Sequence, residues 1–108
     1  MSHIGFYCYV PDADVRADLI RFLSDVDGLQ ISDMYWGNCI RYFRCWVTRR
    51  GEFKCASYPM RHTRVFDYDC RADVARFKSL VSYLSSVDLS SPTAVASWQS
   101  FISNHYGY

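Results

Sequence analysis

Residues 39–58 constrain the fold more than any other stretch of this chain. Cys39 to Thr48 is rich in β-branched and aromatic residues, with Ile40, Tyr42, Phe43, Trp46, Val47 and Thr48. Phe53 to Tyr58 reads as a return strand, and Pro59 ends its regular pairing or marks an edge. The four residues between them, Arg49-Arg50-Gly51-Glu52, suit a hairpin, with Gly51 free to take a positive φ. A chain with this segment at its centre is built on a sheet with antiparallel pairing.

The flanking segments supply the remaining elements. Residues 3–10 alternate Ile4, Phe6, Cys8 and Val10 with His3, Gly5, Tyr7 and Tyr9. Both sets are largely apolar, so this strand is central or covered on its second face. Pro11-Asp12 breaks it, and Asp12 is placed to cap a helix over about 13–26. Asp14 lies in its first turn, Val15, Leu19, Phe22, Leu23 and Val26 follow at helical spacing, and Gly28 stands where a helix ends. Leu29 to Trp36 reads as a second strand, Gly37-Asn38 as a turn and Thr63 to Tyr68 as a fifth strand. From Asp69 to Val87 the stripe Val74, Phe77, Leu80, Val81, Leu84 and Val87 predicts a second helix. Ser91-Pro92 starts a third, with Val95, Trp98, Phe101, Ile102 and Tyr106 on its buried side.

The order β-α-β-β-β-β-α-α predicts an α+β domain over residues 1–108. Its sheet is mostly antiparallel, a meander of four to five strands with three helices packed largely on one face. A chain of 108 residues buries a little over ~60% of its unfolded surface as one domain. The β-α-β opening resembles the first half of a ferredoxin-like sandwich, from which the chain departs by closing on two helices. A fold resemblance of this grade carries no function.

The formal net charge of +1 conceals a partition. Residues 1–40 hold six Asp against Arg16 and Arg21, a balance of −4. Residues 41–64 hold seven basic residues against Glu52, a balance of +6, and residues 65–108 come to −1. The charges could compensate one another as surface ion pairs of little energetic weight. They could equally give a dipolar surface whose basic hairpin docks an anionic partner.

On the third strand Arg41, Phe43, Cys45, Val47 and Arg49 share one side, which resembles a core face with Arg at its ends. Ile40, Tyr42, Arg44, Trp46 and Thr48 share the other, and mix aromatic rings with Arg and Thr as recognition surfaces do. Nine Tyr, seven Phe and three Trp are more rings than a small core needs, so some should be exposed.

Catalytic signatures are sparse. Five Cys without a C-x-x-C argue against a disulfide scaffold or zinc knuckle and for a reducing cytoplasm. Cys8 and Cys45 fall in core-facing registers. Cys70, at the expected start of the second helix, is the one thiol placed for activation. His3, His62 and His105 are far apart, Asp67-Tyr68-Asp69 is read as a cap and turn, and no metal or cofactor is expected. There is no phosphate loop, no pair of catalytic Glu and no apolar run of ~18 residues that would span a membrane, and no signal peptide is expected.

The reading that follows is a non-catalytic, cytoplasmic protein-binding module. It has the form of a small inhibitor or antagonist, like immunity proteins or phage-encoded antagonists of host machinery. It would meet an acidic protein surface through the hairpin region 40–64, with Tyr42, Arg44, Trp46, Arg49, Arg50, Tyr58, Arg61 and Arg64 as contacts. Single-stranded nucleic acid on the same surface is the alternative, an enzyme centred on Cys70 is another, and an exposed aromatic sheet could also pair with a second copy.

Overall fold

A computed structural model describes residues 5–31, 40–59 and 69–105 of the chain. The first strand, β1, spans Gly5–Tyr9, and helix α1 spans Ala13–Ser24. Three strands follow, β2 over Leu29–Ile31, β3 over Tyr42–Val47 and β4 over Phe53–Tyr58. A two-residue strand, β5 (Cys70–Arg71), precedes helix α2 (Val74–Ser85) and helix α3 (Pro92–His105). The class and the element order are as expected from the sequence. The fifth strand expected at Thr63–Tyr68 and the turn at Gly37-Asn38 lie outside the described residues.

Local chemistry explains the element ends. The Asp12 carboxylate accepts from the N–H groups of Asp14 and Val15, at 2.9 and 3.1 Å, and so starts α1. That helix stops at Ser24, two residues before the expected end, and Gly28 follows at φ +79°. In the hairpin, the Thr48 N–H donates to the Glu52 carbonyl at 2.9 Å and the Gly51 N–H to the Thr48 carbonyl at 3.0 Å. Gly51 takes φ +82° there, so the turn uses the conformation that glycine alone adopts at no steric cost.

The second helix starts later than the Asp69–Val87 stripe predicts. Its N-cap is Asp73, whose carboxylate accepts from the Arg76 N–H at 2.7 Å. Cys70 and Arg71 instead extend the sheet, pairing in parallel with Phe6 and Tyr7, and the Ala72 N–H donates to the Tyr7 carbonyl at 2.8 Å. A stripe of apolar side chains continues through such a strand without marking where the helix begins. In α3, Ser91 caps the first turn and Val95, Trp98 and Ile102 are buried as expected, whereas Phe101 is 37% exposed at the border of the stripe.

The sheet order is β2-β4-β3-β1-β5. It departs from a meander at both ends, because β2 pairs with β4 and β5 with β1, both in parallel. The crossover through α1 accounts for the β2 end. It sends β2 in the same direction as β1, and the hairpin β3–β4 then occupies the space between them. The ferredoxin-like opening is altered correspondingly, since two strands separate β1 from β2.

One face of this sheet meets all three helices. Phe6 and Cys8 of β1, Phe43, Cys45 and Val47 of β3, and Phe53 and Cys55 of β4 share that side by register. They pack in one cluster with Leu19 and Leu23 of α1, Phe77, Leu80, Val81 and Leu84 of α2, and Val95, Trp98 and Ile102 of α3. The Phe6 ring sits edge-on to Phe77 and to Trp98, with centroids 5.2 and 5.8 Å away. No helix among the described residues is long and apolar enough to cross a membrane.

Candidate partner-binding face

The pleat that sends Phe43, Cys45 and Val47 to the helices sends Tyr42, Arg44 and Trp46 to the opposite face. Register adds neighbours from the adjoining strands. Gly5, Tyr7 and Tyr9 of β1 stand opposite Trp46, Arg44 and Tyr42, and Lys54, Ala56 and Tyr58 of β4 stand on the other side of the same three residues. Tyr42 and Trp46 share this surface, as the alternation along β3 implied, and Tyr58 joins them from β4, whereas Ile40, expected on the same side, is buried in the core cluster.

The centre of this face is closed. Tyr7, Ala56 and Arg44 are buried, and Arg44 is only 5% exposed. Its guanidinium spends two nitrogens on the carboxylate of Asp69, which is 1% exposed: Nε donates to Oδ2, and Nη2 donates to Oδ1 at 3.2 Å. Asp69 Oδ1 also accepts from the Gly5 N–H at 2.9 Å. A buried charge is tolerated when it is paired and hydrogen-bonded in this way. The sequence reading made Arg44 a partner contact; in the fold it is buried and forms the structural centre of the face. Asp69 is the residue that reading missed, having placed it in a cap and turn.

Glycine at position 5 is required by the same packing. A Cβ there would stand 2.3 Å from the Cys45 carbonyl oxygen and 2.9 Å from the Trp46 Cβ. Its absence lets β3 approach β1 closely where the Trp46 side chain leaves the backbone.

Half-exposed rings surround the buried pair. The Arg44 guanidinium carbon lies 4.6 Å from the Trp46 ring centroid, a cation–π contact that holds the indole over the ion pair. Tyr42 packs against Tyr9 at 5.0 Å and Tyr7 at 6.2 Å, and Tyr9 is 42% exposed. Burial pushes the Tyr58 phenol above its ordinary value, and the nearby Arg44 charge opposes that rise. Beside Trp46, Lys54 Nζ lies 3.8 Å from a Glu52 carboxylate oxygen. Arg49 and Arg50 are exposed at the hairpin tip. Arg61 and Arg64 lie outside the described residues.

The thiol chemistry differs from the expectation. Cys70 is on a strand three residues before the helix cap, so no helix N-terminus stabilises its thiolate. Burial pushes its thiol up to about 11, with Arg76 opposing and Asp69 adding to the rise. Cys8 and Cys45 are buried as expected, and burial raises both thiols. Among the described residues no group of His, Cys, Asp or Glu could hold a metal ion.

No protein-family model, curated protein or solved structure matches this chain. What the face can do therefore rests on its own chemistry. It offers partly exposed aromatic rings around a buried ion pair, with exposed cations at the hairpin tip and no activated nucleophile among the described residues that form it.

Proposed function

We propose that this chain is a small non-catalytic protein-binding module, an inhibitor or antagonist of the immunity-protein or phage-encoded anti-host kind. It docks an acidic protein surface through the face of its sheet opposite the described helices. The observation that carries this reading is the ring set Tyr9, Tyr42, Trp46 and Tyr58, left partly exposed around a buried Arg44–Asp69 pair. Rings held in place before binding lose little conformational entropy on docking, and Trp and Tyr are the residue types that dominate interface energies. Arg49 and Arg50 at the tip would steer an acidic partner and raise its association rate. Arg44 contributes by holding Trp46, not by direct contact.

The face suits single-stranded nucleic acid less well, because Asp69 neutralises the cation at its centre. A pull-down from the native host with the wild-type chain and a Tyr42→Ala/Trp46→Ala variant tests the proposal, with nuclease treatment in parallel. The expected result is a protein captured by the wild type with or without nuclease and lost by the variant, whose thermal unfolding stays cooperative. With the captured protein purified, Arg49→Ala/Arg50→Ala should slow association chiefly at low salt. Capture that survives the ring substitutions, or that disappears with nuclease, overturns the reading.

A further inference from the structure

Two cysteines face each other across the hairpin. Cys45 of β3 and Cys55 of β4 are register partners, and both are wholly buried on the side of the sheet that meets the helices. A side-chain hydrogen bond joins the two thiols. The chain makes a full turn between them, so no C-x-x-C spacing marks the pair in the sequence.

Their position in the ladder decides what they can do. The Thr48 N–H donates to the Glu52 carbonyl, one step beyond the Val47–Phe53 partners, so Thr48 and Glu52 form a hydrogen-bonded pair. Antiparallel partners alternate between hydrogen-bonded and non-hydrogen-bonded pairs. Counting along β3 from Thr48, Trp46–Lys54 and Arg44–Ala56 are hydrogen-bonded, and Cys45–Cys55 is not. The other edge of β3 agrees. The Val10 N–H donates to the Arg41 carbonyl, and counting from there makes Phe6–Cys45 a hydrogen-bonded pair. The N–H and C=O of Cys45 thus turn toward β1 and away from Cys55. In a non-hydrogen-bonded pair the Cα atoms stand about 4.5 Å apart and the side chains are closest. A disulfide joins Cα atoms about 4.4–6.8 Å apart, so the pair is within bridging range.

The other described thiols are out of reach. Cys8 stands opposite Phe43, a diagonal step of about 7–8 Å from Cys45, and all of β3 separates it from Cys55. Cys70 pairs with Phe6 and lies two strands from Cys45, about 9–10 Å away. Cα atoms more than ~7 Å apart are not bridged without moving the backbone. Cys39 lies outside the described residues.

Burial decides when a bond can form. The thiolate is the attacking species, and burial pushes the Cys45 thiol well above its ordinary value. Neither sulfur meets solvent in the finished sheet. In the unfolded chain both thiols are solvated, and closing the short 45–55 loop costs little entropy. We infer that Cys45 and Cys55 are a redox pair, closed to a cross-strand disulfide by a small disulfide oxidant as the chain folds and then shielded by the core. With glutathione disulfide as oxidant, one cysteine thiolate attacks it and releases one glutathione. The second thiolate displaces the other glutathione from the mixed disulfide. The two thiols lose two protons and two electrons, and one glutathione disulfide becomes two glutathione thiols. This inference does not depend on what the opposite face of the sheet binds.

The test refolds the urea-unfolded full chain in mixed oxidised and reduced glutathione, and in parallel in dithiothreitol. Acid quenching, intact mass and peptide mapping follow. The expected product has lost two hydrogen atoms and carries one bond, between Cys45 and Cys55. Its thermal midpoint should lie about 10 °C above that of the reduced chain. Folded, reduced chain placed in the same mixture should oxidise more than ~10-fold more slowly than refolding chain, because it must open first. Cys8→Ala should still form the bond. A bond mapped to Cys8, Cys39 or Cys70, a product left as a mixed glutathione disulfide, or a folded product with no disulfide overturns the inference. An oxidised form less stable than the reduced one also overturns it, since the bond would then strain the sheet. Equal oxidation rates for folded and refolding chain would remove the shielding and overturn it as well.

Discussion

The guanidinium of Arg44 and the carboxylate of Asp69 pair on the side of the sheet away from the described helices, although β1 runs between β3, which carries the arginine, and β5, which the aspartate precedes. The pair ties three strands together through side chains, and the Gly5 N–H joins it from the strand in the middle. Removing one member leaves the other buried without its counter-charge.

Asp69→Ala is therefore expected to cost about 3–5 kcal/mol, and Arg44→Met a similar amount, as breaking a buried ion pair does. The double variant should lose clearly less than the sum, because no lone charge remains. Urea unfolding of the wild type, both singles and the double measures this. A loss below ~1 kcal/mol for Asp69→Ala would contradict the structural role given to the pair.

Gly28 and Gly51 both take positive φ, but their surroundings differ. Around Gly28 a Cβ would meet nothing within 4 Å, so Gly28→Ala should cost only the backbone term of about 1–2 kcal/mol. At Gly51 the Cβ would fall 1.9 Å from the Leu89 carbonyl oxygen, a backbone atom between α2 and α3. Gly51→Ala must displace the hairpin tip from that segment as well as strain the turn. Thermal unfolding should show the larger drop for Gly51→Ala, and equal drops would place the tip away from Leu89.

The buried thiols set the alkaline limit of stability. Below pH 9.0, the ordinary thiol value, Cys70 is protonated in both the folded and the unfolded chain. Between 9.0 and about 11 the unfolded chain loses that proton while the folded chain keeps it. The unfolded state then binds fewer protons, so stability falls as pH rises through this window. Cys8 and Cys45, also raised by burial, extend the fall upward. Urea midpoints should decline from pH 9 upward, and Cys70→Ala should flatten the first part of the decline. A midpoint that holds constant to pH 11 would show Cys70 to be ionised in the fold.

Much of the architecture was legible in the chain because it is encoded locally. The return strand Phe53–Tyr58 was read to the residue, since alternating side chains and a turn glycine fall within a few positions of one another. The Asp12 cap and the Ser91 cap follow from side chains bonding N–H groups two or three residues away. The division of Tyr42–Val47 into a side that meets the helices and an opposite side needed only the two-residue period of a strand.

Strand order was not encoded at that range. Whether β2 pairs with β1 or with β4 depends on how the α1 crossover and the hairpin share one sheet. The same holds for Asp69. Its partners Arg44 and Gly5 are 25 and 64 residues away in sequence, and nothing near position 69 points to either. Cys70 was misplaced for a related reason, because an apolar residue before a helix reads alike whether it belongs to a first turn or to a two-residue strand. The sequence by itself determined most of the elements and the position of the aromatic and basic hairpin, but not the strand Cys70–Arg71. The tertiary structure alone decided which of those side chains are spent on holding the sheet together and which stay partly exposed. Burial and ion pairing join residues that only strand order brings together, and no local pattern along the chain records that order.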